Sequence, residues 1–138
     1  MAKGKEFKRP TSKKSKRFKV DDLEPSPNYD LYKPIFSFRY MKYQGPCCIS
    51  TRRKDKKSLI IDTLLRLSQL TWRQIINLPR EQGFEKMPIY RFNVPLPSVF
   101  TPEVPILVAR YDKSGRLAGF RNKDIYHVVL AGRNLYSH

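Results

Sequence analysis

Arg110, Arg116, Arg121, His127, Arg133 and Tyr136 all fall within residues 110–136. Side chains of these types can handle a phosphodiester without a metal. Such chemistry needs a base for the 2′-hydroxyl, cations for the charge that builds on the phosphorus oxygens, and an acid for the departing 5′-oxygen. An arginine fork matches two phosphate oxygens at once, so Arg110, Arg121 and Arg133 suit the second role. Tyr136 or His127 could move protons. The same residues also suit a solvated basic sheet, and His127, flanked by Ile125 and Val129, equally fits a structural histidine.

For the six side chains to meet, the segment that carries them must fold back on itself twice. Residues 104–111, 116–121 and 125–131 read as a three-stranded antiparallel meander, because Asp112-Lys113-Ser114-Gly115 and Asn122-Lys123-Asp124 have the chemistry of tight turns. Strand alternation puts Ile106, Val108 and Arg110 on one face, with Leu107, Ala109 and Tyr111 on the other. It likewise sets Leu117, Gly119 and Arg121 against Arg116, Ala118 and Phe120, and Ile125, His127 and Val129 against Tyr126, Val128 and Leu130.

Upstream, Pro34–Met41 alternates with Phe36, Phe38 and Tyr40 and predicts a half-buried strand. Cys47–Arg52 predicts a second short one. From Asp55 the period changes, and Leu59, Ile60, Ile61, Leu64, Leu65 and Leu67 define the broad apolar stripe of a helix over 55–69. Thr71 and Gln74 have capping-box spacing, with Leu70 and Ile75 placed as a hydrophobic staple, so a second helix is expected over 72–78. A single bent helix over 55–78 is the alternative. Met87–Val94 reads as a strand. Pro95–Pro102 reads as a surface loop, since Pro79, Pro88, Pro95, Pro97 and Pro102 preclude long regular structure there. The fold class expected is α+β, with a helical hairpin packed on a mainly antiparallel sheet that ends in the meander.

The chain has 138 residues, 28 Lys and Arg against 12 Asp and Glu, and a net charge of +16, which points to a polyanionic partner. Half of that excess sits in residues 1–20, where Lys3, Lys5, Lys8, Arg9, Lys13, Lys14, Lys16, Arg17 and Lys19 face only Glu6. Phe7, Phe18 and Val20 are too few to offset the entropy of ordering that stretch, so it is expected to be a disordered basic tail. Residues 21–34, with Asp21, Asp22, Glu24, Pro25 and Pro27, read as a linker, and 35–138 as one domain. Lys13, Lys14, Lys16 and Arg17, with Arg110 and Arg116, are the expected nucleic-acid contacts.

Adjacent Cys47 and Cys48 give neither a comfortable disulfide nor a metal spacing. His127 and His138 are the only histidines, and the carboxylates are not clustered, so no metal or cofactor is expected. No apolar run approaches a membrane span, and none follows the basic start as a signal peptide would require. A cytoplasmic location is the expectation.

Two helices followed by Gly119-Phe120-Arg121, Ile125-Tyr126-His127-Val128-Val129-Leu130, Ala131-Gly132-Arg133 and then Tyr136 resemble the RelE/ParE toxin superfamily over about residues 35–136. Its members are small basic α+β proteins. The RelE branch cleaves messenger RNA at the ribosome without metal, and the ParE branch targets gyrase. The resemblance implies that Arg121 stands for the central-strand arginine, Arg133 for the later sheet arginine and Tyr136 for the C-terminal tyrosine, and it implies an antitoxin partner. The basic N-terminal segment and the proline-rich insertion depart from the pattern. So do the mid-sheet lysines, which have no clear counterpart here beyond Lys86 as a candidate substitute. Two other readings stay open: a non-catalytic nucleic-acid binder of phage, plasmid or ribosomal type that uses its tail, and a module whose basic surface meets an acidic protein.

A tail that makes about six phosphate contacts loses on the order of a thousandfold in affinity between roughly 50 and 200 mM salt. Deleting residues 1–20 is therefore expected to leave the melting temperature unchanged and to flatten the salt dependence of RNA binding. Collapse of the fold on deletion would contradict the tail assignment.

Overall fold

A computed structural model of the chain describes residues 27–137. The tail calls, including Lys13, Lys14, Lys16 and Arg17, the first part of the linker and His138 lie outside the described residues. The elements are β1 (Ile35–Ser37), α1 (Lys54–Ser68), α2 (Trp72–Ile76), β2 (Glu85–Met87), β3 (Ile106–Arg110), β4 (Gly115–Asn122) and β5 (Ile125–Arg133). One five-stranded sheet in the order β1-β5-β4-β3-β2 makes the fold α+β. β1 lies parallel to β5, and the other pairs are antiparallel. Both expected turns form. The Asp112 carboxylate accepts from the backbone N–H groups of Ser114 and Gly115. The two-residue β4–β5 turn puts Lys123 in the left-handed region at φ 62°.

The two helices separate where the capping box requires. The Thr71 hydroxyl accepts from Gln74 N at 3.2 Å, and the Gln74 side chain accepts from Thr71 N at 2.9 Å. Of the expected apolar stripe on α1, Ile60, Leu64 and Leu67 are buried together with Thr63, while Ile61 and Leu65 are exposed. The stripe is narrower than the sequence pattern because α1 meets the sheet along one line only.

Three expected strands change. Only Ile35–Ser37 of the Pro34–Met41 stretch pairs, since β5 is the sole neighbour of this edge and Phe38 onward turns away from it. Cys47–Arg52 is a turn with a short 3-10 helix at Ile49–Thr51, capped by Ser50 N on Cys48 Sγ at 3.4 Å. Met87–Val94 yields to β2, which ends at Met87, and to a 3-10 turn at Ile89–Arg91 after Pro88. Part of the linker is also tied down: a 3-10 turn at Tyr29–Leu31 docks on α2 through Trp72 N donating to Tyr32 O at 2.9 Å.

The sheet is covered on both faces. α1 and α2 lie on one, over Ala109, Tyr111, Leu117, Tyr126, Val128 and Ala131. The proline-rich segment roofs the other, where Phe92, Val94, Leu96, Val99 and Phe100 pack against Val108, Ala118, Phe120, Val129 and Leu130. What reads as a surface loop is thus half of the core. It is stitched down by the C-terminus: Asn93 N donates to Leu135 O at 2.7 Å and Ser137 N to Arg91 O at 3.0 Å.

At the centre of β4, Gly119 faces the ring of Tyr126, whose hydroxyl donates to Leu107 O at 2.7 Å across the strand. A Cβ at Gly119 would collide with the His127 carbonyl, which is backbone and cannot yield. Gly119→Ala is therefore expected to destabilise by about 3 kcal/mol or more in urea unfolding. A change below about 0.5 kcal/mol would mean that this close approach is not required.

Candidate nucleic-acid interface

The β4–β5 hairpin decides which arginines can meet, and a bulge sets which face they take. Ala118 pairs with Leu130 and Gly119 with Val128, so Val129 is an extra residue on β5. Leu130 therefore joins Val129 against the roof, and Ala131 returns to the helix side, against simple alternation. Arg133, opposite Gly115, ends up at the far end of the sheet from Arg121, which is opposite Tyr126. Six positions of β4 separate the two, or about 20 Å. The structure does not bring Arg121 and Arg133 together.

Arg121 serves as a fastener. Its guanidinium pairs with Asp30 at 2.7 Å, donates to Lys123 O at 2.6 Å and lies 4.2 Å from the Trp72 ring centre. It therefore bolts the Tyr29–Leu31 turn and α2 to the β4–β5 hairpin. Lys86 is exposed on the edge strand and lines, with Arg121, Trp72 and Ile76, a mostly apolar cleft of about 510 Å³ at that end.

His127 lies on the roofed side, with its ring centre 5.0 Å from that of Tyr40 and 4.8 Å from that of Phe120. Its Nδ1 is buried without a hydrogen-bond partner among the described residues. Burial, and then the nearby Arg39 charge, hold its pKa below the ordinary value. Five strand positions separate it from Gly132, or about 16 Å. His127 is thus a neutral aromatic wall residue, and it does not reach the arginines at the other end.

Arg116 and Tyr136 do meet. Arg116 Nε donates to the Tyr136 hydroxyl at 3.1 Å, and Nη1 reaches the carbonyls of Asp112 and Lys113 at 3.2 Å and of Gly115 at 3.0 Å. The arginine is only 8% exposed, and no carboxylate pairs with it among the described residues. Arg110, directly across from it on β3, is 3.8 Å from Glu85. Beside Arg116 lies a polar pocket of about 140 Å³ lined by Lys113, Ser114, Asn134, Leu135 and Tyr136. Asn134 adopts φ 55°, which turns the chain after β5 and sets Leu135 and Tyr136 under the roof.

The helix side supplies cations that the sequence reading passed over. The turn at Ile49–Thr51 is anchored on the sheet by Ala131 N donating to Cys47 O at 2.8 Å, and it delivers Arg52 next to Gly132. Lys56 then pairs with Asp112 at 2.5 Å, joining the start of α1 to the β3–β4 turn. Arg53, Lys54 and Lys57 follow from the same helix start. Tyr111 registers this crowd: burial, then Asp112, push its phenol up, while Arg52, Lys56 and Arg133 oppose them. Asp55 and Asp112 are the acids placed here, and each is engaged by a cation, Arg53 and Lys56. Arg52, Lys54, Lys57, Lys113, Arg116 and Arg133 have no ion-pair partner among the described residues. The signal in the sequence was the run Arg52–Lys57 itself, since cations at a helix N-terminus oppose the helix dipole and go against local preference.

Among the described residues no three His, Cys, Asp or Glu side chains converge as a metal site, and no helix is long and apolar enough to cross a membrane. Comparison of the chain with protein-family models, with curated proteins and with solved structures gives no match.

Because the folded state resists protonation of His127, the stability it contributes is present above the ordinary histidine value of 6.5 and is lost as pH falls below it. The lowered carboxyls of Asp55, Glu81 and Asp112 titrate below their ordinary values of 3.8 to 4.5, outside that window. The melting temperature is expected to drop between pH 7 and pH 5, and His127→Phe to flatten the drop. An identical pH profile in the variant would remove His127 from the account.

Proposed function

We propose that this protein binds RNA through the cationic end of its sheet, with Arg116 and Tyr136 at the centre of the contact. The observation that carries this reading is a buried guanidinium with no acidic partner among the described residues, beside a polar pocket that Lys113 also lines. A buried charge without a counter-ion is costly, and a phosphate oxygen would offset part of that cost at Nη2, since Nε and Nη1 are already engaged. Exposed Lys113 lines the pocket, and exposed Arg133, opposite Gly115, and the α1 cations extend the cationic surface at this end of the sheet for a longer strand.

Within this reading the protein is of RelE-like toxin type. Support comes from a strand, two helices and an antiparallel meander in that order, and from a C-terminal tyrosine held by a sheet arginine. That arginine is Arg116, where the resemblance pointed to Arg121 and Arg133. A ribosomal setting, an antitoxin partner and a cytoplasmic location come with the resemblance.

Cleavage is the second reading, favoured by the guanidinium-bound phenol. In such a step the 2′-oxygen would attack phosphorus as its proton passes to water, Arg116 and its neighbours would take up the charge, and Tyr136 would protonate the 5′-oxygen as its bond to phosphorus breaks. A base for the 2′-hydroxyl is not placed in the pocket, because His127 lies at the other end. Binding is therefore the primary proposal.

Arg116→Met is expected to weaken binding of single-stranded RNA about tenfold, the loss of one charge-assisted contact. Because Arg116 is buried, the exposed triple change Lys113→Gln, Arg133→Gln and Lys54→Gln provides a second test. It should lower the slope of log affinity against log salt by about two. Affinity and slope equal to wild type in both variants, with the fold intact, would overturn the proposal. Incubation with RNA in EDTA separates the two readings: 2′,3′-cyclic ends that vanish in Tyr136→Phe would assign cleavage, and intact RNA would assign binding alone.

A further inference from the structure

The chain from Ser37 to Tyr43 leaves the sheet after β1 and keeps its aromatic residues partly exposed, although Tyr40 leans on His127 and Phe120. Phe38 is 45% exposed, Tyr40 40% and Tyr43 76%, and they alternate with exposed Arg39 and Lys42. Phe38, Met41 and Tyr43 form one wall of an apolar hollow of about 380 Å³ whose other side is Cys48, Ile49 and Ile61. Ile49 N donates toward Met41 Sδ at 3.5 Å, which ties this stretch to the turn behind it. The hollow is therefore built from two segments held together. It is not a lone exposed side chain.

Two features select its occupant. The first is charge: no Asp or Glu occurs between Asp30 and Asp55, while Lys33, Arg39, Lys42, Arg52, Arg53 and Lys54 do. An apolar hollow whose Phe38–Tyr43 and Cys48–Ile49 walls are flanked along the chain by cations and no acid suits a group that is flat and apolar but carried on a polyanion. The second is continuity: the Ile49–Thr51 turn that lines the hollow runs directly into Arg52 and the start of α1, the cationic surface described above. A second copy of this chain fits less well, since it would bring two rims of like charge face to face.

We infer that the hollow between Phe38, Tyr43 and Ile49 takes an unpaired base of single-stranded RNA, with Arg39 and Lys42 on the adjoining phosphates. The inference rests on the RNA-binding reading and adds to it a preference for single strands. Bases within a duplex are already stacked on their neighbours and cannot enter, whereas a splayed base stacks on an aromatic face whatever its identity. Phosphates alone hold the strand at the Arg116 end; stacking holds it here.

The test uses the full chain and four probes of equal length: single-stranded oligouridylate, oligoadenylate, an abasic strand and duplex RNA. Oligouridylate and oligoadenylate are expected to bind at least about fivefold tighter than the abasic strand, since one stacked base contributes roughly five- to a hundredfold. The duplex should bind no better than the abasic strand. Phe38→Ala with Tyr43→Ala, both exposed positions, should remove that advantage while leaving the salt slope unchanged. Sedimentation of the same variant checks self-association. Undiminished discrimination in the double variant would overturn the inference and leave RNA binding standing, as would a change in mass without a change in RNA affinity. Failure of wild type to bind any of the four probes would overturn the RNA-binding reading itself.

Discussion

Burial of both faces of the central strands governs where charge can go in this molecule. From Leu117 to Phe120 and from Tyr126 to Ala131 the residues of β4 and β5 are buried, by helices on one side and the proline-rich roof on the other. A charged side chain in the middle of such a sheet would be desolvated without compensation, so the arginines are driven to its two ends. At one end Arg121 finds Asp30 and the Trp72 ring. At the other, Arg116 finds carbonyls and a phenol but, among the described residues, no carboxylate, and Lys113 lines the same pocket. The asymmetry between a neutralised end and an unneutralised one is the basis of the functional reading.

Much of the fold was legible because it is written in local chemistry. The turn residues Asp112–Gly115, the Thr71 and Gln74 capping box and the alternation in β3 and β4 each act within a few residues, and each appears as the sequence implies. What could not be read depends on partners distant along the chain. The Val129 bulge has no distinctive residue; it arises where Gly119 lets the β5 backbone come close. Yet it reverses the alternation beyond Val128. The roof was equally hidden, since Pro95 and Pro97 mark irregular backbone without saying that Leu96, Val99 and Phe100 will cover a sheet.

The candidate site shows the same division. Residue type alone selected Arg116 and Tyr136 as members of a larger set, and the fold joins those two while sending Arg121 and His127 elsewhere. The strongest sequence-level pointer was a breach of local preference: the run Arg52–Lys57 places cations where the dipole of α1 disfavours them. That arrangement, together with an Arg116 that has no acid among the described residues, is what supports the proposed anionic partner.

The proposed RNA surface is one end of the sheet. Amide shifts recorded while a short single-stranded RNA is added to the ¹⁵N-labelled protein test it most directly. The account predicts that the largest changes fall at residues 52–57, 113–116 and 133–136. Changes confined to the opposite end, around Asp30, Lys86 and Arg121, would contradict it.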